Sequence, residues 1–219
     1  MTNKPLCLFD LDGVLLDSET NFSWLENAIK KTLEHFKIRN NDGKISQLHF
    51  NNITQFNDFC LNLGIAPEVL WPVRNTFYIN EKMKAMREGT ITPFDDVNDI
   101  YQLQNQYKIG IISNSPQEIV DGFVTIFNYT DLFTYNFGRG NTLWDIEHLK
   151  PDPYLYNKVK IYTLAIEIIY VGDRESDRKF AQKTGMIYYH LQRFDNNSNG
   201  YRTITEIVSD LKNNKKKEY

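Results

Sequence analysis

An apolar run of strand length, Leu6-Cys7-Leu8-Phe9, ends abruptly on two acids, Asp10 and Asp12, and the chain uses the same construction twice more. Residues 109–112 give way to Ser113 and Asn114, and residues 166–171 give way to Gly172 and Asp173. Further strand signals at residues 135–137 and 187–191 complete a series separated mostly by helix-like stretches. Strands alternating with helices build a parallel sheet flanked by helices, so the expected class is α/β with a Rossmann-like core. In an open sheet of this kind, ligands bind in the crevice beyond the carboxyl ends of the strands. The polar residues that end these runs should therefore meet at one place.

The alternation breaks once. Phe22, Leu25, Ile29, Leu33 and Phe36 are spaced by three and four, which puts them on one stripe of a helix. Ile53, Phe56, Cys60 and Leu63 repeat the spacing up to Gly64, a helix stop, and residues 67–86 read as further helix interrupted at Pro72. Sheet-type sequence returns at Ile91-Thr92-Pro93-Phe94. The predicted organisation is a discontinuous α/β core, residues 1–17 and 90–219, carrying an all-helical insert at residues 18–89. Residues 195–200 and 213–219 read as solvated polar segments.

Composition narrows the partners. A chain of 219 residues buries a substantial core without staples. With 41% hydrophobic and 24% charged residues, no apolar run of membrane-spanning length and no secretory start, a soluble cytoplasmic protein without a membrane partner is expected. Lys and Arg number 25 against 28 Asp and Glu, and the one basic cluster lies in the polar tail at residues 215–217, which argues against nucleic acid. Cys7 and Cys60, far apart and set in apolar stretches, read as buried free thiols. His35, His49, His148 and His190 lack ligand spacing. No stretch argues for an extended interface, so a monomer or weak homo-oligomer is expected.

Asp10, Asp12 and Asp173, brought to one crevice, would repel one another unless a hard cation neutralised them. Mg2+ is the usual partner of a few carboxylates together with a phosphate, so the expected occupants are Mg2+ and a phosphoryl group. Each acid also has a plainer reading. Asp173 could cap a helix, Ser113 could end a strand, and Asp152 is read as the cap of a helix that starts at Pro153. Asp17 and Ser18 stand where the insert begins and need only a hinge or capping role.

Four segments nevertheless occur together in a fixed order: Asp10-Leu11-Asp12-Gly13-Val14, Ser113-Asn114, Lys150-Pro151-Asp152-Pro153 and Gly172-Asp173-Arg174-Glu175-Ser176-Asp177. On these the chain resembles the haloacid dehalogenase superfamily over nearly its whole length, in the phosphatase and β-phosphoglucomutase-like branch that inserts a helical cap after the first motif. The resemblance implies that Asp10 is the nucleophile that forms an aspartyl-phosphate and that Asp12 is the general acid and base. It implies that Ser113, Asn114 and Lys150 bind the phosphoryl oxygens. Mg2+ would be held by Asp10, the Asp12 carbonyl and Asp173, with Asp177 acting through water or by orienting a ligand. The implied activity is Mg2+-dependent hydrolysis of a small sugar or organic-acid phosphate.

Single residues separate the other chemistries of the superfamily. Asp12 argues against halide chemistry. Phe22 stands where sugar-phosphate mutases carry a histidine. Phosphonoacetaldehyde hydrolases use a cap lysine, for which Lys30, Lys31, Lys37 and Lys44 are candidates. A receiver-like phospho-switch would lack the insert, and a non-catalytic binding protein would not need Asp10, Asp12, Lys150 and Asp173 intact. Two departures stand out. Residues 141–149, including Trp144 and Asp145, separate Gly138-Arg139-Gly140 from the lysine motif, where Lys150 is preferred over Lys158 and Lys160. The loop expected to read substrate, around residues 49–54, offers Asn51 and Asn52 but no glycine or basic residue.

Overall fold

A computed structural model describes residues 4–38, 52–194 and 200–214. Its centre is the run that opened the sequence. β1, Leu6–Phe9, pairs in parallel with β4, Lys108–Pro116, on one side and with β6, Ile168–Gly172, on the other. β5, Tyr135–Arg139, and β7, Ile187–His190, extend the sheet to the order β5-β4-β1-β6-β7. Successive side chains of β1 enter different cores, Cys7 and Phe9 on one face and Leu6 and Leu8 on the other. A strand covered on both faces must be apolar throughout, which is why this run shows no alternation.

The helices fill both faces. On the face of Leu6 and Leu8 lie α6, Tyr154–Tyr162, and α7, Glu175–Thr184, through Leu155, Val159 and Phe180. The opposite core takes in α4, Gln117–Ile126, a 3-10 segment at Asp95–Leu103 and α8, Ile204–Asn214. It also runs on into the helices that follow β1: α1, Ser23–His35, α2, Ile53–Leu63, and α3, Pro67–Arg87. The chain leaves and re-enters the sheet domain through two short antiparallel strands, β2, Leu16–Asp17, and β3, Thr92–Pro93.

Several sequence expectations are met in detail and others shift for identifiable reasons. Cys7 and Cys60 are buried free thiols, and Gly64 ends α2 in the left-handed conformation at φ 67°. Phe22 leaves the stripe assigned to it: it is the residue before α1 and 45% exposed, and Trp24 takes the buried place instead. α3 runs unbroken through Pro72, the missing N–H costing one helical bond while Leu70 and Trp71 beside it are buried. β4 continues past residue 112 to Pro116, because β5 also lengthens and pairing resumes at Arg139 after a register shift. β6 begins at Ile168, and Ile166 is exposed. Of the loop at residues 49–54, only Asn52 onward lies within the described residues. Lys44 and His49 lie outside them. No described helix is long and apolar enough to cross a membrane.

Candidate active site

The carboxyl ends of β1, β4 and β6 gather the acids. Asp10 follows β1 directly, and its backbone N–H still bonds to the Val171 carbonyl of β6 at 2.9 Å, so the sheet register carries through to this residue. Beyond β6 comes Asp173. Oxygens of Asp10, Asp173 and Asp177 lie within 4.8 Å of one another. The turn after β1 approaches this cluster closely: Gly13 has φ +78°, and a Cβ there would collide with the Asp173 carboxylate.

Lys150 reaches the cluster from the segment before α6. Its Nζ lies 2.9 Å from Asp10 Oδ1 and 2.7 Å from Asp177 Oδ1, and it donates to the Tyr170 hydroxyl oxygen at 2.6 Å. Two devices fix it. Asn114 Oδ1 accepts from the Lys150 backbone N–H at 2.7 Å. Asp177, fully buried, receives Lys150 and the Tyr170 hydroxyl on Oδ1 and the Arg174 N–H on Oδ2. Asn114 and Asp177 thus both hold Lys150 in place. Ser113 is buried at the end of the same strand, its Oγ accepting from the Ser115 N–H at 3.1 Å. Asp152 accepts from the Tyr154 N–H at 2.9 Å, but α6 starts one residue later than expected, so Pro153 and not Asp152 stands at the cap position. Asp17 accepts from the Thr20 backbone and hydroxyl before α1.

Asp12 has a separate set of partners. Ser18 Oγ donates to its Oδ1 at 2.6 Å and Ser115 Oγ to its Oδ2 at 2.7 Å. Lys82, from α3, places Nζ 2.5 Å from Oδ1 with only 1% of its side chain exposed. The sequence reading missed Lys82 and Ser115. Both left a signal: Ser115 is two residues beyond Ser113 on one strand, and Arg74, Tyr78, Lys82 and Met86 recur every fourth residue on α3, putting a lysine on a buried stripe. Trp71 and Asn75, earlier on α3, tie that helix to the 141–149 segment. The Trp71 indole donates to the Asn141 carbonyl at 2.7 Å and the Asn75 amide to Asn141 Oδ1 at 2.9 Å. A short helix there, α5, Leu143–Glu147, is closed by a reciprocal cap between Thr142 and Asp145.

The electrostatics divide the acids. Burial above all, then the charges of Asp177 and Asp12, raise Asp10 to about 6 against the opposing pull of Lys150. Burial followed by the charges of Asp10 and Asp177 raises Asp173 to about 8. Burial would raise Asp12 as well, but the Lys82 ammonium and the Ser18 and Ser115 hydroxyls outweigh it and bring the group to about 2. Asp173 Oδ1 is buried and accepts no hydrogen bond. An orphaned carboxylate oxygen close to the oxygens of two more acids is a hard donor set, and it suits a small divalent cation such as Mg2+. Between these groups and the helices after β1 is a cavity of about 210 Å³, lined by Asp12, Ser115, Lys82, Trp71, Arg74 and Arg139 among others.

A cavity beside an acid cluster and a buried lysine, at the carboxyl edge of a parallel α/β sheet, is where ligands bind in open folds of this class. The sequence pattern of the haloacid dehalogenase-like hydrolases matches residues 7–191, and the chain belongs to that family. No curated protein matches it. Among solved structures, it is similar to a predicted phosphatase from Clostridium acetobutylicum at 20% identity and a TM-score of 0.67, over 96% of this chain and 99% of that one. It is similar to a HAD phosphatase from Thermococcus onnurineus at 20% identity and a TM-score of 0.65, over 94% and 97%. CbbY from Rhodobacter sphaeroides, solved in complex with phosphate, shares 13% identity at a TM-score of 0.66, over 92% of each chain. At such identities the likeness is one of fold.

Proposed function

We propose that this hydrolase is a Mg2+-dependent phosphatase acting on a small phosphomonoester, with residues 18–89 serving as a cap over the core formed by residues 1–17 and 90–219. The observation that carries the reading is Lys150 Nζ held 2.9 Å from the Asp10 carboxylate at the end of the central strand, beside Asp173. A fixed cation next to a nucleophilic carboxylate lets that carboxylate approach a charged phosphoryl group. Asp10, Asp173 and the Asp12 carbonyl would hold Mg2+, which when bound supplies further neutralisation of the phosphoryl oxygens.

In this reading Asp10 attacks phosphorus, forming an acyl phosphate as the ester P–O bond breaks, and Asp12 gives a proton to the departing oxygen. Water then attacks the phosphoaspartate, Asp12 takes its proton, and Asp10 is released with inorganic phosphate. While Lys82 sits on Asp12 that carboxylate holds no proton, so Lys82 must withdraw and Asp12 must take up a proton from solvent before it can give one to the leaving oxygen. Ser113 and Lys150 bind phosphoryl oxygens. Asn114 and Asp177 position Lys150. Phe22 at the mouth of the cavity supplies no proton acceptor, which favours hydrolysis over a mutase.

A panel of phosphate esters assayed on wild type, Asp10→Asn and Asp12→Asn, with and without Mg2+, tests the proposal. Phosphate release should require Mg2+, vanish in Asp10→Asn and fall about 10²- to 10⁴-fold in Asp12→Asn. Full activity in Asp10→Asn would overturn it.

A further inference from the structure

The cavity beside Asp12 has an unusual charge for a place that must admit a leaving group. Among the described residues its lining holds Arg74, Lys82, Arg139 and Arg174 against the carboxylates Asp12 and Glu19. Lys82 pairs with Asp12 and Arg174 with Glu19. Arg74 and Arg139 face the same indole, with guanidinium carbons 5.7 and 5.0 Å from the centre of the Trp71 ring, and Arg74 also covers Tyr78 at 4.6 Å. Both are almost fully buried, at 6% and 5% exposure.

Arg139 is the more telling of the two. It donates to the Gly140 carbonyl at 2.8 Å and to Asn75 Oδ1 at 2.7 Å, both neutral, and no described carboxylate lies within ion-pair distance. Those bonds use two of the five guanidinium N–H groups. Asp145 and Glu118 are close enough to favour its charge, but Asp145 accepts from Thr142 and Glu118 from Asn141. Burying a cation without a paired anion is costly. Burial lowers both arginines to about 10, and each still carries its charge at neutral pH.

We infer that the cavity is built for a leaving group that itself bears an anion, a carboxylate or a second phosphate, held by Arg139 while the ester phosphate lies at Asp10. The inference rests on the phosphatase reading and names its substrate class. The planar fork of arginine matches either anion in a two-point contact, and the aromatic floor of Trp71 and Tyr78 keeps the guanidiniums flat. About 210 Å³ is below the range of drug-sized sites, which limits the leaving group to a few heavy atoms beyond the anion.

Matched pairs of esters test it. Phosphoglycolate is compared with hydroxyethyl phosphate, and ethylene glycol bisphosphate with the same hydroxyethyl phosphate, on wild type, Arg139→Gln and Arg139→Lys, each variant first checked for native melting behaviour. Wild type should favour the anionic member of at least one pair by about tenfold or more in kcat/KM, and the pair that responds identifies carboxylate or phosphate. Arg139→Gln should erase the preference through KM while leaving the neutral ester within about threefold, and Arg139→Lys should restore part of it. Equal treatment of both members by wild type overturns the inference. So does an equal loss on both in Arg139→Gln, since Arg139 would then serve only to hold Asn75 and α3. If no ester is turned over, the phosphatase reading fails by itself. Calorimetric binding of the corresponding phosphonates to wild type then decides the inference: preference for the anionic analogue sustains it and indifference ends it.

Discussion

Lys82 carries its charge into a site where it is 1% exposed and meets Asp12 at 2.5 Å. Lys82→Met should therefore cost about 3 kcal/mol, the penalty for leaving a buried carboxylate without its cation. The pH dependence has a definite sign. Asp12 is depressed to about 2, so its stabilising effect is present above the ordinary carboxylate value and lost as pH falls through 2. Lys82 is raised, so its effect is present below the ordinary lysine value and lost as pH rises beyond it. Thermal melts should show the largest gap between wild type and variant from about pH 4 to about pH 10, narrowing at either end. Asp173 has the opposite sign. Raised to about 8, it destabilises the metal-free fold increasingly as pH climbs from about 4 to 8. Asp173→Asn should be more stable than wild type without metal, by about 2 kcal/mol at pH 8, and its melting temperature should not respond to added Mg2+. The placing of Asp10, Asp12 and Asp173 was legible in sequence because each follows a recognisable apolar run, and that of Lys150 because its Lys-Pro motif falls in the order of the resemblance. Lys82 left only the trace of a buried stripe on α3, and Arg139 left none, because which groups they meet depends on how α3 packs against α1, α4 and α5.

At the level of elements, β4 shows how close the strands come. A Cβ on Gly110 would strike the Tyr135 carbonyl of β5 and the Leu8 side chain of β1. Gly110→Ala should accordingly destabilise by about 2 kcal/mol, since backbone cannot yield as a side chain end can. For a chain of this size that is a fall of about 4–8 °C in melting temperature. The same strand shows where reading by pattern stops. Residues 109–112 announce a strand, but the sequence Ser113-Asn114-Ser115-Pro116 gives no sign that pairing resumes beyond a bulge, because the cause lies in β5. α3 errs the other way: Pro72 signals a break, and the burial of Leu70, Trp71 and Arg74 around it keeps the helix whole. Strong local signals placed the elements, and tertiary contacts set their ends.

Across the whole molecule, β1 is paired on both sides by segments that arrive about a hundred and about a hundred and sixty residues later. Amide exchange should show it: Cys7, Leu8 and Phe9, fully buried at the sheet centre, should exchange only through global unfolding, whereas α2, with most of its residues exposed, should exchange earlier. Comparable protection in both would contradict the picture. The narrow stem formed by β2 and β3 has a consequence of another kind. Asp17 and Thr92 stand opposite each other in an antiparallel pair, so the two ends of everything between them lie about 5 Å apart. Asp10, Asp12, Lys150 and Asp173 stay outside that stretch, while Trp71, Arg74 and Lys82 lie within it. A lineage could exchange the whole stretch by recombination at two neighbouring points and so, on the proposed mechanism, acquire a new diet of substrates without touching the residues assigned to bond breaking.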